Sequence, residues 1–293
     1  MKIAQLLQLL LLASLWGASF LFIKLAVPHF GVVPLTAVRS LVATVTLMPI
    51  LLLRGKWPEL RKHWPHILVI GLISTAIPAS MLSISTQYTS AGFASILNAL
   101  TPLFSALVAW LWLKESLTVP VVAGISLGFF GVLVMVFDTQ SISSDFVLLP
   151  IIAGVTGTFL YGLTGNYSRR FTQAVSPIVI TAGCQLFSAL FMVPLSIFLW
   201  PTTSIPIEAW LYGVILGVFC TAVAFILYFQ LLEKIGVVRT VVVTYLVPVF
   251  GMLWGTLFLP ENITLKMMIG AALILAGVGL STRLAGFKGT SGN

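Results

Sequence analysis

Charge is scarce in this chain of 293 residues: Asp, Glu, Lys and Arg together make up 8% of it, where soluble domains carry roughly 25%. Fifteen basic and seven acidic side chains are too few to cover a globule of this size in water, which excludes a soluble monomer. Cysteine is nearly absent. Cys184 and Cys220 both fall inside apolar runs, which argues against a disulfide framework or a Cys/His metal centre and leaves two small buried hydrophobes. The three histidines (His29, His63, His66) and all seven acids (Glu59, Glu115, Asp138, Asp145, Glu208, Glu233, Glu261) lie at the ends of apolar runs or between them. There is no paired Asp within an apolar run, no His-Glu-x-x-His site and no Ser/His arrangement, so we expect neither an enzyme nor a metal or cofactor. Nor does any acid stand where a proton relay would cross a bilayer, although coupling through a boundary acid such as Glu233 stays open.

What the chain does have is apolar length. It is 59% hydrophobic with a mean hydropathy of +1.12, and breaks at Pro, Gly, polar and charged clusters divide it into ten runs, each near the roughly 20 residues a spanning helix needs. We place the helices at about 3 to 24, 34 to 53, 65 to 87, 92 to 114, 119 to 137, 146 to 168, 176 to 200, 209 to 232, 237 to 259 and 264 to 283. The expected fold is an all-α polytopic membrane protein in contact with lipid. The formal charge of +8 does not point to nucleic acid, because the basic residues are scattered singly and form no stripe. With the N-terminus inside, Lys2, Arg54, Lys56, Arg61, Lys62, Lys114, Arg169, Arg170, Lys234, Arg239, Arg283 and Lys288 fall on the inner side, Lys24 and Lys266 on the outer side, and Arg39 within the second span. The positive-inside rule then puts both termini in the cytoplasm. The first run is not read as a cleaved signal peptide, since it continues to Ile23 and its Trp16-Gly17 pair has a counterpart later in the chain.

The sequence repeats itself. A shift of 146 superposes 92 to 136 on 238 to 282 without a gap and pairs Pro102 with Pro248, Glu115 with Glu261, Thr118 with Thr264, Gly124 with Gly270 and Gly131 with Gly277. A shift of 145 aligns Trp16-Gly17 with Tyr161-Gly162, Lys24 with Arg169 and Thr36-Ala37 with Thr181-Ala182. The copies meet in the polar stretch Asp138 to Asp145, giving units of 1 to 138 and 139 to 293. Five spans is an odd number, so the second unit enters the bilayer from the opposite side: two inverted five-helix repeats enclosing a midplane site, the architecture of alternating-access transporters.

The doubled pattern Glu115-Ser-Leu-Thr118, Gly124, Gly131-Val132 and Glu261-Asn-Ile-Thr264, Gly270, Gly277-Val278, with the opening Leu15-Trp16-Gly17-Ala18-Ser19 and the Pro34 to Arg39 stretch, resembles the drug/metabolite transporter superfamily, specifically its EamA-type family. The resemblance covers essentially the whole chain. It implies a ten-helix inner-membrane exporter or importer of small metabolites, with the third, fourth, eighth and ninth spans, plus the first and sixth, lining the cavity. Two positions break the internal symmetry: Cys184 stands where the first copy has Arg39, and Pro260 where it has Lys114.

Candidate substrate-binding residues follow from polar or amphipathic groups inside those spans: Trp16, Asn98, Tyr161, Tyr228, Thr244 and Tyr245, each of which alternatively serves as a helix-to-helix hydrogen bond. Arg39 reads either as an anchor snorkelling to the outer face or as a fork for a substrate carboxylate or phosphate. Glu115 and Glu261 read as caps at the positive ends of the helices that follow them or as gating groups. Pro102 and Pro248 each free a carbonyl four residues back, near Asn98 and Thr244, through a kink. Gly124, Gly128, Gly131, Gly270, Gly277 and Gly279 permit close helix packing, within one chain or across a homodimer. The expected activity is secondary transport of a small molecule by export or exchange, amino acids first, with drug-like cations, purines, sugars or a non-transporting membrane scaffold as alternatives.

Overall fold

A computed structural model describes residues 3–137, 148–240 and 242–285. The expected join of the two units at 138/139, the polar stretch Asp138 to Asp145, Lys2 and Lys288 lie outside the described residues, as do the side chains of Arg239 and Arg283. Among the described residues every regular element is a helix, with no strand. In order the helices are α1 (Ile3–Phe30), α2 (Val32–Leu53), α3 (Trp57–Gly71), α4 (Ile77–Tyr88), α5 (Ala91–Asn98), α6 (Thr101–Leu113), α7 (Val119–Val136), α8 (Leu148–Phe171), α9 (Pro177–Phe198), α10 (Ile207–Gly217), α11 (Ala224–Thr240), α12 (Val243–Phe258) and α13 (Leu265–Ala285). Seven helical stretches, with α3–α4, α5–α6 and α10–α11 each taken as one, are long and apolar enough to cross a membrane, and three shorter apolar helices accompany them. Leu41, Val45, Phe130, Leu133, Phe191 and Leu257 stand exposed on the outside. Water would penalise such a surface, whereas hydrocarbon does not; the chain is a multi-pass membrane protein.

The elements depart from the apolar runs where packing outweighs composition. α1 continues past Lys24 to Phe30 because Phe30 is held edge-on by Trp200 and Trp210, at 6.1 and 5.0 Å between ring centres. Two turns of π-helix, Leu72–Ala76 and Val218–Val223, join α3 to α4 and α10 to α11. They are repeat counterparts, separated by the same shift of 146. The proline of the first copy does break its helix: α5 ends at Asn98, Pro102 opens α6, and the carbonyl of Asn98 is met by Thr101 Oγ1 at 2.8 Å. Pro248 instead lies inside a continuous α12; the kink at Gly236, where φ is 77°, is the counterpart of the junction at Ser90 between α4 and α5.

In their turns and in the α7–α13 contact the copies fold alike. The turns after α6 and α12 both place a positive φ at Lys114 and Pro260, and both return an amide to the helix end, Glu115 to Ala109 at 3.2 Å and Glu261 to Gly255 at 3.3 Å. Between α7 and α13 the contacts are reciprocal. A Cβ on Gly124 would lie 2.5 Å from the Gly277 carbonyl, and one on Gly277 would lie 2.5 Å from that of Gly124; Gly131 and Gly270 stand in the same relation at 2.8 Å. Since 124 pairs with 277 and 131 with 270, the two helices run antiparallel, and the repeat exchanges one contact for the other. Gly128 faces Leu103 of α6 instead of the partner helix alone. Gly279, expected to join this packing, does not: nothing lies within 4 Å of where its Cβ would be, because it sits two residues beyond Gly277 and so about 200° around the helix.

That contrast is testable on one helix. Gly277→Ala should destabilise the protein by about 1–3 kcal/mol through overpacking, seen as a lower melting temperature in detergent, while Gly279→Ala should leave it unchanged or slightly raised, since Ala is the better helix former.

Candidate functional site

Four repeat-related groups, Lys24 and Arg169, Glu261 and Glu115, lie in two clusters at opposite ends of the helix bundle. At the first, α4 ends at Tyr88 and Ser90 caps α5 by accepting from the Phe93 amide at 3.0 Å. The open amides of Ala91 and Gly92 then donate to the two carboxylate oxygens of Glu261, at 2.7 and 3.3 Å. A carboxylate at a helix N-terminus is favoured by both hydrogen bonds and dipole. Lys24 Nζ closes the same junction by donating to the carbonyls of Gln87 and Thr89 at 3.0 and 2.6 Å, within electrostatic reach of Glu261. Gly255 makes room for this arrangement, since a Cβ there would collide with Glu261 Oε2.

At the other cluster the counterparts are disposed differently. Arg169 and Glu115 pair with each other, 50% and 52% exposed, and line a cavity of about 510 Å³ with Trp112, Leu113, Lys114 and Arg170. The Arg170 guanidinium lies 5.4 Å from the ring centres of both Trp112 and Phe171. Helix packing follows the same division. Where Lys24 sits, α1 packs on α4 and α5, and α5 on α12; among the described residues, no comparable packing joins α8 to α11, or α6 to α11 and α12, at the Arg169 end. One end of the bundle is shut and the other open.

Between the ends lies a polar group assembled from five helical segments. Arg39 on α2 donates from Nε to Thr221 Oγ1 at 2.9 Å. Thr221, buried in the second π-helical turn, donates its own hydroxyl to the Leu216 carbonyl, five residues back, at 2.8 Å. An α-helix would place that partner four residues back; the extra residue of the π turn turns Thr221 toward Arg39. Tyr161 and Cys220 lie close enough to feel the guanidinium charge. Trp16 packs on Tyr228 and Phe225 with ring centres 5.5 and 6.0 Å apart, and shares the Phe20, Ala91 and Val247 cluster with Tyr161. Trp16, Tyr161 and Thr221 each stand about half-way along their helical stretches.

Of the residues singled out from the sequence, Trp16, Arg39, Tyr161 and Tyr228 therefore come together. Tyr245 packs instead against the Phe93 and Leu97 core, and Thr244 opens α12 beside it. Asn98 ends α5 with its side-chain oxygen buried and unpartnered. Glu261 is a cap, but of α5 and not of the helix that follows it; that helix is served by Thr264, whose hydroxyl accepts from the Met267 amide at 3.1 Å. Asn166 serves helix packing, donating to the Ser105 carbonyl at 2.8 Å. Lys24, counted in the sequence toward orientation and as the repeat partner of Arg169, proves to be a structural tie. Thr221 was legible only as the partner of Thr75 at the shift of 146. The contact of Glu59 with Ser176, which caps α9 at 2.6 Å, spans 117 residues and has no local signature.

Comparison with known proteins agrees with this architecture. The chain is 26% identical to a transporter of Archaeoglobus fulgidus over 94% of its own length and 97% of the relative's. It is 28% identical to the transporter YyaM of Bacillus subtilis over 89% and 88%. A probable terminal-alkyne amino-acid exporter of Streptantibioticus cattleyicolor is 26% identical over 94% of this chain and 92% of that protein. A crystal structure with 22% sequence identity shares the fold at a TM-score of 0.68, covering 99% of this chain and all of the other. The pattern of the EamA-like transporter family matches residues 4–137 and again 148–283, and the chain belongs to that family.

Proposed function

We propose that the protein is a secondary transporter that exports or exchanges small organic metabolites, amino acids foremost, by alternating access. Ten spans form two inverted repeats, the Lys24 end faces outward, and the Arg169 end and both termini face the cytoplasm of a cell whose plasma membrane holds the chain. The observation that carries this reading is the unequal state of the repeat-related ends: Glu261 and Lys24 are locked on α5 and the end of α4, while Glu115 and Arg169 are exposed around an open cavity. Inverted repeats make the two ends equivalent in sequence, so exchanging the conformations of the copies yields the opposite state. In that state Arg169 and Glu115 take the roles now held by Lys24 and Glu261, closing on the stretch around Glu233 to Val238, and the outer end opens.

The group at Trp16, Arg39, Tyr161, Thr221 and Tyr228 is the cargo site of this scheme, reached from the cytoplasm in the present conformation. Aromatic walls with few polar anchors suit a small organic molecule. The amino-acid preference is supported by the likeness to the Streptantibioticus exporter and, among the described residues, by the lack of an acid paired with Arg39 that would suit a cationic drug. Transporter relatives and the absence of a catalytic constellation in the sequence favour transport over catalysis.

Reconstituted in liposomes preloaded with a mixture of amino acids, purines and sugars, the protein should release one class selectively, above empty vesicles; a folded preparation that releases none would overturn the reading. The lock is tested separately. Glu261→Gln gives up two hydrogen bonds to a charge, each worth about 1.5–3 kcal/mol, and should raise maleimide labelling at Gln87→Cys, in a chain lacking Cys184 and Cys220, by about tenfold or more. Glu115→Gln, which breaks only an exposed pair, should change that rate by less than about fivefold.

A further inference from the structure

The two copies provide their own control for what Arg39 does. Arg39 on α2 and Cys184 on α9 are repeat counterparts, and their backbones are seated identically: a Cβ on Gly217 would lie 2.9 Å from the Arg39 carbonyl, and one on Gly71, the counterpart of Gly217, 2.9 Å from the Cys184 carbonyl. The neighbouring π-helical turns carry Thr221, which meets Arg39, and Thr75, its counterpart at the shift of 146. In the second copy a neutral thiol, bonded to the Ile67 carbonyl at 3.8 Å, fills the position without loss of the packing. The scaffold therefore has no need of a cation there, and in a membrane interior a cation is costly.

Arg39 is also incompletely used by the protein. Thr221 engages Nε, while among the described residues neither terminal nitrogen meets a hydrogen-bond partner and no acid pairs with the guanidinium. Those two nitrogens are the atoms that grip a carboxylate bidentately. Thr221, fixed by its bond to Leu216, sets the plane of the fork. Tyr161, within electrostatic reach of the guanidinium, shares the Phe20, Ala91 and Val247 cluster with Trp16, whose ring packs on Tyr228 and Phe225. The cavity at the open end carries the same sign, with Lys114, Arg169 and Arg170 against the single acid Glu115.

We infer that the cargo is a small organic carboxylate with an apolar or aromatic body, its carboxylate gripped by the Arg39 terminal nitrogens, with Thr221 as the positioning residue. This rests on the carrier reading and narrows it: carboxylate is the recognised group, and an amino acid is accepted through that group rather than through its ammonium. A phosphate monoester, with a charge of about −1.5 to −2, would be only partly balanced by one arginine, so a monocarboxylate is the better match.

The test uses the purified full-length protein in nanodiscs and four probes that share a phenyl ring: phenylacetate, phenylalanine, phenylacetamide and phenethylamine, with phenyl phosphate as a fifth. Binding is followed by tryptophan fluorescence. Phenylacetate and phenylalanine should bind and the amide and amine should not, with phenyl phosphate weaker than phenylacetate. Arg39→Gln should raise the half-saturating carboxylate concentration by about tenfold or more, Arg39→Lys by less, and Cys184→Ala not at all. Thr221→Val keeps the charge but frees the fork, and should weaken the carboxylates severalfold without letting the amine bind, which keeps the inference testable if Arg39→Gln misfolds. Equal binding of the amide or amine, undiminished binding in Arg39→Gln and Thr221→Val, or no binding of either carboxylate would overturn it. Flux separates the two readings. Carboxylate binding that depends on Arg39 without any flux overturns the carrier and keeps the carboxylate site, whereas flux of neutral or cationic solutes indifferent to Arg39 keeps the carrier and overturns the site.

Discussion

Because the hydrocarbon core of a bilayer offers neither hydrogen bonds nor counter-charge, a polar group of this chain within the membrane is costly unless another group answers it, and among the described residues few, such as the Asn98 side-chain oxygen, are left over. Most are answered locally, by hydroxyls returning to a carbonyl one turn back, as Thr36, Thr44, Ser80, Thr86 and Thr158 do. Those bonds cost the fold nothing in packing. The groups answered from far along the sequence are the informative ones: Glu261 on the start of α5, Lys24 on the end of α4, Asn166 on Ser105, Thr221 on Arg39. They tie helices to one another at a few points only, and between those points glycine contacts such as Gly124 on Gly277 let backbones touch without polar glue.

A duplicated chain permits a form of argument that a single copy does not. Where both copies show the same feature, as with the two π-helical turns or the positive φ at Lys114 and Pro260, the feature belongs to the fold. Where they differ, either the sequence differs, as at Arg39 and Cys184, or the conformation differs, as at Glu261 and Glu115. On the carrier reading the first kind of difference concerns what the molecule recognises, and the second which of its two states is seen.

Much of this was legible in advance, for identifiable reasons. Apolar runs of span length and a repeat carried by Pro, Glu, Thr and Gly survive in any reading of the sequence, because lipid and helix geometry impose them residue by residue. The π turns were not legible: a single extra residue in a helix of Ile, Ser, Thr and Ala leaves no trace in composition. Nor was the partner of Glu261. The sequence placed that acid beside Thr264 and suggested a cap of the next helix, but Thr264 suffices there, and the amides of Ala91 and Gly92, 170 residues away, had no other acceptor. Arg39 stood out as the one cation inside a span; that Thr221 would hold it depended on a register set by the π turn.

The glycine at 255 has a consequence for kinetics. Its counterpart in the first copy is Ala109, which carries the methyl that at 255 would collide with the Glu261 carboxylate. On the carrier reading the two closures are therefore of unequal depth, the one at the Lys24 end being the tighter. Such an inequality cannot accumulate cargo on either side, since a carrier without an energy source only equalises what it moves. It does mean that the empty protein waits with one mouth open, so that the concentration needed for half-maximal rate differs between the two sides of the membrane even when the driving gradient is simply reversed.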